Sequence, residues 1–161
     1  MMRMHIKSFF GQLVLTLFIL TASSVAWSEQ QIDTGLKGNW KVIACQLNTK
    51  WLADSIFREF RYNITADNRF YIENADLTFP NFMGGFPKSK TGKIVVDATA
   101  TPHTIDLIPD EGPYKGKAFK GIYELDHDIL KLNFAFPDKP RPTSFTAQQG
   151  EVYEVWQRIG S

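Results

Sequence analysis

The chain has 161 residues, a formal net charge of +1, 22% charged and 14% aromatic side chains, and one cysteine. That length suits one domain, and a single cysteine excludes an internal disulfide framework. The near-neutral balance excludes the basic footprint that a nucleic-acid partner requires.

Residues 1–26 read as a secretory signal peptide. Arg3, His5 and Lys7 form a basic start, Phe9 to Ala22 is an uncharged apolar core, and Ser24-Val25-Ala26 supplies small residues before a cleavage point at Trp27. Cleavage after Ser28 is nearly as good. The apolar core is short for spanning a bilayer, so removal is expected, leaving no transmembrane segment and a protein of the periplasm or extracellular space. Val42-Ile43-Ala44-Cys45 has the look of a lipoprotein acylation box. It lies well past the apolar core, where lipidation does not occur. Removal of the signal takes two basic residues and no acid, leaving a slight excess of acids.

Residues 27–35 form a polar, flexible lead-in, and 36–161 form the folded domain. Leu36 to Leu47 is the first predicted strand, with Gly38 marking either a backbone held close to a neighbour or a bend, just before the large Trp40. Ile43, Cys45 and Leu47 share a face in simple alternation, which makes Cys45 a small buried hydrophobe. Asn48 to Ile56 is a connector with room for one helical turn or a lid at Trp51 to Ile56. Phe57 to Ile64 and Arg69 to Asn74 are the second and third strands, separated by the turn residues Ala66-Asp67-Asn68.

Ala75 to Gly92 is the least regular stretch. It carries two prolines, paired glycines and the apolar residues Leu77, Phe79, Phe82, Met83 and Phe86. Such a loop pads or plugs a barrel end, or gates a cavity. Lys93 to Thr99 and His103 to Ile108 are strands four and five, separated at Thr101-Pro102. Gly121 to Phe136 reads as two alternating strands joined by a tight polar turn at Asp126 to Asp128, with Tyr123 and Leu125 on one face and Leu130, Leu132, Phe134 and Phe136 on the other strand's face. Pro137 to Pro142 is stiffened by three prolines. Glu151 to Ile159 is the last strand.

About eight strands with short connections and no convincing amphipathic helix predict an all-β fold, an antiparallel up-and-down barrel, with a two-sheet sandwich as the alternative. Eight strands enclose an interior just wide enough for side chains or one small ligand. In a closed meander the first and last strands are neighbours, so the Arg158 guanidinium is expected to cover the Trp40 ring.

Gly38-Asn39-Trp40 and Arg158 resemble the opening motif and closing arginine of lipocalins and their calycin relatives. A closer resemblance is to a family of lipocalin-like domains found in planctomycetes and scattered bacteria. It rests on Leu36 to Val42, Pro102 to Leu107, Gly121 to Leu125, Asp128 to Leu132, Arg141 to Phe145 and the final strand with Arg158. Its signature residues here are Gly38, Trp40, Asp106, Gly121, Tyr123, Arg141 and Arg158. The chain departs from the family at His127, often glycine, and Asn133, often cysteine, and its Leu77 to Pro87 stretch is longer and more aromatic than usual. The family has no agreed catalytic residues, so the resemblance implies a fold and not a reaction.

The chemistry of the chain is sparse. Asp126-His127-Asp128 sits in one hairpin turn, whose residues cannot readily converge on a metal ion. Asp106 shares a face with Thr104 and Ile108, and Arg141 is its candidate partner, as a structural ion pair or in ligand recognition. No phosphate loop, nucleophile elbow or Cys-x-x-Cys pair occurs. No catalytic residue, metal or cofactor is therefore assigned. The leading expectation is a non-enzymatic exported barrel that binds a small hydrophobic molecule, with Phe79, Phe82, Met83 and Phe86 as gate and Asp106 and Tyr123 as further ligand-binding candidates. The alternatives are a solid-cored module that meets a protein partner or the envelope through its surface, and a small barrel enzyme built on Asp106 with His103 or Tyr123.

Overall fold

The computed structural model describes residues 34–73 and 91–160. Its strands are β1 (Gly38–Leu47), β2 (Lys50–Trp51), β3 (Arg61–Ile64), β4 (Arg69–Glu73), β5 (Thr91–Asp97), β6 (His103–Pro109), β7 (Phe119–Asp126), β8 (Ile129–Ala135) and β9 (Glu151–Arg158), with one helical turn, α1 (Asp54–Phe57). Every neighbouring pair is antiparallel, and β1 pairs with both β3 and β9. The result is a closed eight-stranded up-and-down barrel, with β2 attached to β1 outside the ring. Closure leaves the ring without a free edge for another chain to extend.

Period-two alternation sets the inner wall. Trp40, Tyr62, Ile94, Ile105, Leu132 and Trp156 are among the inward residues, and each is buried. The connections 65–68, 98–102 and 127–128 close one end tightly. A 3-10 turn at Thr34–Leu36 caps that end, where the Trp40 indole N–H donates to the Leu36 carbonyl at 2.9 Å. Among the described residues, the longer connections 52–60, 110–118 and 136–150 leave the strands at the other end.

Three local readings change. The pairing of β1 with β9 shifts between Val42 and Ala44, a bulge that takes Ile43 out of the inward register and leaves it 41% exposed. Cys45 and Leu47 stay inside. Phe57 does not begin a strand: Asp54–Phe57 turns helically, and the Arg58 N–H caps the turn on the Asp54 carbonyl. Lys50–Trp51 is a short strand inside the predicted connector.

Residues 136–150 run back over the outer face of the barrel. Arg141 is fixed there by both Asp106 oxygens, at 2.5 and 3.2 Å, and donates to the Gly121 carbonyl at 2.6 Å. Asn133 donates to the Ser144 carbonyl at 2.8 Å, and Gln46 accepts from the Ala147 N–H. The strap explains why Gln46 and Asn133 are buried although they face outward.

The two-residue hairpin between β7 and β8 holds His127 at φ 52°, the left-handed region that penalises a side chain. His127→Gly is expected to stabilise the fold by about 0.5–1 kcal/mol, because relief of that strain exceeds the extra chain entropy of glycine and the loss of an exposed Asp126 contact. Urea unfolding of the two proteins checks this. A destabilised glycine variant would mean that the turn depends on the imidazole.

Candidate functional site

Along β9 the inward register runs Val152, Glu154, Trp156, so strand geometry alone carries a carboxyl group into the middle of the barrel. On its rung Glu154 faces Cys45 of β1 on one side and Leu132 of β8 on the other. It is 3% exposed. The Trp156 indole N–H donates to Oε2 at 2.7 Å, while Oε1 is met by the Cys45 thiol at 3.9 Å, a long and weak contact. The Tyr62 ring stacks on Trp156 with centroids 4.0 Å apart and planes 17° from parallel.

Burial dominates the electrostatics. It raises Glu154 from the ordinary carboxylate value to about 7, against the smaller opposite pull of Trp156 and Cys45. Burial, and then the Glu154 charge, also push the Cys45 thiol and the Tyr62 phenol up. Cys45 is therefore held as a neutral thiol, which is a poor nucleophile and a poor metal ligand. Glu154 is the group in this cluster that changes charge near neutral pH.

The sequence-predicted residues fall in different places. Trp40 and Arg158 meet as expected, with the guanidinium carbon 4.2 Å from the ring centroid. Arg158 also donates to the carbonyls of Gly35 and Lys37, each at 2.6 Å, and to Asp128 at 3.0 Å. Gly38, at φ 134°, lies so close to Arg158 that a Cβ would stand 2.7 Å from its Nη1. Gly121 is likewise pressed against the Phe134 ring.

Asp106 and Arg141 form the expected ion pair, on the outer face. Asp106 pairs across from Val95, which is 47% exposed, so it stands on the outer wall, and the acid carried inside is Glu154. Tyr123 is buried inside, and its ring lies 5.3 Å from that of the exposed His103 at the first position of β6. That leaves Asp106 apart from the His103–Tyr123 pair on which the enzyme alternative relied.

Asp126 contacts its neighbour His127 at 2.6 Å, whereas Asp128 turns to Arg158. Among the described residues no group of three potential metal ligands converges. The gate residues Phe79, Phe82, Met83 and Phe86 lie outside the described residues, as does the signal segment 1–26.

Glu154 escaped the sequence reading because the last strand is amphipathic in neither register. Val152 and Trp156 flank it at the i±2 positions, and Tyr153 and Val155 form an equally apolar alternative. The available signal was its pairing of a large aromatic and a branched side chain two residues away on either side.

The strands thus define a small closed antiparallel barrel, and among the described residues Glu154 is the carboxylic acid on its inner wall. Comparison with family models, curated proteins and solved structures matched none of them.

Proposed function

We propose that this chain is an exported, non-enzymatic, lipocalin-like barrel that binds a small, largely apolar molecule. The observation that carries the reading is Glu154. A barrel that only had to be filled would gain from an apolar side chain here, since replacing buried ionic groups by packed hydrophobes is neutral or stabilising by about 1–4 kcal/mol. Binding sites, in contrast, combine apolar walls with one or two polar groups that orient the ligand. The buried carboxyl, flanked by Trp156, Tyr62 and Cys45, has that composition. Export rests on the character of residues 1–26, and the lipocalin-like assignment on Gly38, Trp40 and Arg158 at the closure of the ring.

A second reading has its own support. Trp40, Leu130, Leu132 and Val152 have no exposed surface, whereas Trp51 is 64% exposed beside the edge of Tyr153. That pattern suits a solid barrel that works through its outer face.

Native mass spectrometry of the mature protein, purified from the periplasm without detergent, separates the two when paired with titration by apolar fluorescent probes. A reproducible adduct of small-molecule mass, or saturable probe uptake with one site per chain, supports the binding barrel. A bare mass together with no uptake of any probe overturns it in favour of surface recognition.

A further inference from the structure

We propose that the molecule taken up by the barrel carries a protonated amine, which pairs with the Glu154 carboxylate. This deepens the binding reading above and rests on it.

Three observations lead to the amine. First, the carboxyl group has one well-used oxygen and one poorly used one. Oε2 accepts the Trp156 N–H at 2.7 Å, whereas Oε1 has only a thiol at 3.9 Å. An ionised carboxylate is an acceptor with capacity for several donors, and a thiol is a weak one. A charged N–H donor is the group that satisfies Oε1 best.

Second, no cation of the described chain answers this charge. Burial, Trp156 and Cys45 are what act on the carboxyl group, and the facing residue on β8 is Leu132. Arg158, on the same inward register, is committed at the barrel end to Trp40, Asp128 and the carbonyls of Gly35 and Lys37. A buried anion without a cation is costly, and an incoming ammonium removes that cost. A fatty acid would add a second anion beside the first.

Third, aromatic rings flank the acid. Trp156 and Tyr62 lie in one stack next to it and cover each other's facing surfaces, so an ammonium would be attracted by the faces turned away from the stack once water is excluded.

The inference also fixes a pH signature. Cys45 on β1 and Tyr62 on β3 stay protonated through pH 8, so Glu154 is the titrating member of the cluster. At pH 5.5 the acid must give up a proton before it pairs with the ammonium. At pH 8 it is already ionised. Amine affinity therefore rises with pH and levels off above about 7.

The test compares dodecylamine, dodecanol and dodecanoic acid, each below its aggregation concentration. Binding to the mature chain is read by calorimetry and tryptophan fluorescence at pH 5.5 and 8.0. The expected result at pH 8.0 is amine binding at least about tenfold tighter than that of either partner, with the advantage shrinking at pH 5.5. In Glu154→Gln the amine preference should vanish while dodecanol affinity holds, with circular dichroism confirming the fold. If dodecanol or the acid binds wild type as tightly as the amine at pH 8.0, the amine inference is overturned and the binding barrel stands. If none of the three binds, the binding reading itself falls.

Discussion

Wild-type protein is expected to lose about 3 kcal/mol of stability between pH 4.5 and 7, and Glu154→Gln is expected to abolish most of that loss. Burial holds the folded-state pKa of Glu154 at about 7, above its ordinary 4.5, so the folded protein keeps a proton that the unfolded chain releases. Stability is fully present below about 4.5, falls as pH rises, and becomes constant above the folded-state value. The slope is roughly 1.4 kcal/mol per pH unit while only the unfolded state is ionised. Glutamine keeps an oxygen to accept the Trp156 N–H and cannot ionise. The variant should therefore match wild type near pH 5 and exceed it by about 2–3 kcal/mol at pH 8.

Comparison with Glu154→Gln isolates this acid between pH 5 and 8, because both proteins carry the same histidines. Hydrogen bonds from Thr65 and Thr99 hold Asp67 and Asp97 below the ordinary carboxylate range, and the Arg69 contact does the same for Asp110, so those groups act at lower pH. Tyr62 and Cys45 are raised and act at higher pH. Urea unfolding at pH 5, 6.5 and 8 measures the difference. Parallel pH profiles for the two proteins would show that Glu154 is ionised in the folded state throughout, contrary to the proposed cost of burying its charge.

How legible these features were depends on how many registers the sequence allowed. In β8, Leu130, Leu132 and Phe134 alternate with Lys131 and Asn133, so one face alone suits the core, and the structure uses it. The Arg158–Trp40 contact follows from closure, because a ring of antiparallel strands brings first and last together whatever the loops do. β1 was harder. Both of its faces are apolar, and only the pairing with β9 reveals that a bulge rotates Ile43 outward while keeping Cys45 within.

The acids show the same limit. Asp106 and Glu154 each sit in a strand with apolar residues in both registers, and alternation does not tell which acid enters the barrel. The decision is made by tertiary structure. The strap from 136 to 150 brings Arg141 to the outer face, where it satisfies Asp106, and among the described residues no such strap reaches the inner wall at Glu154. The inner acid is thus visible only once the ring has closed. The pairing of Arg141 with Asp106 was legible from chemistry, but not the side of the sheet on which it occurs.

Ring closure at Trp40 is where a single substitution should cost most. Trp40→Ala is expected to destabilise the domain by about 3–5 kcal/mol, the range for emptying a buried large aromatic position. The indole has no exposed surface, donates to the Leu36 carbonyl, and supports the Arg158 guanidinium. Since a domain of this size has about 5–15 kcal/mol in total, the variant should unfold in low urea or fail to accumulate.

A gentler pair keeps the test quantitative. Arg158→Lys retains the charge but loses the planar fork that spans two carbonyls while lying on the ring, and should cost about 1–2 kcal/mol. Trp40→Phe keeps an aromatic face but loses the N–H donor, and its cost should be similar. Because ring and guanidinium touch, the double variant should cost less than the sum by at least about 0.5 kcal/mol. Additive losses would mean that Arg158 stabilises closure through the Gly35 and Lys37 carbonyls alone, with the cation–π contact contributing nothing measurable.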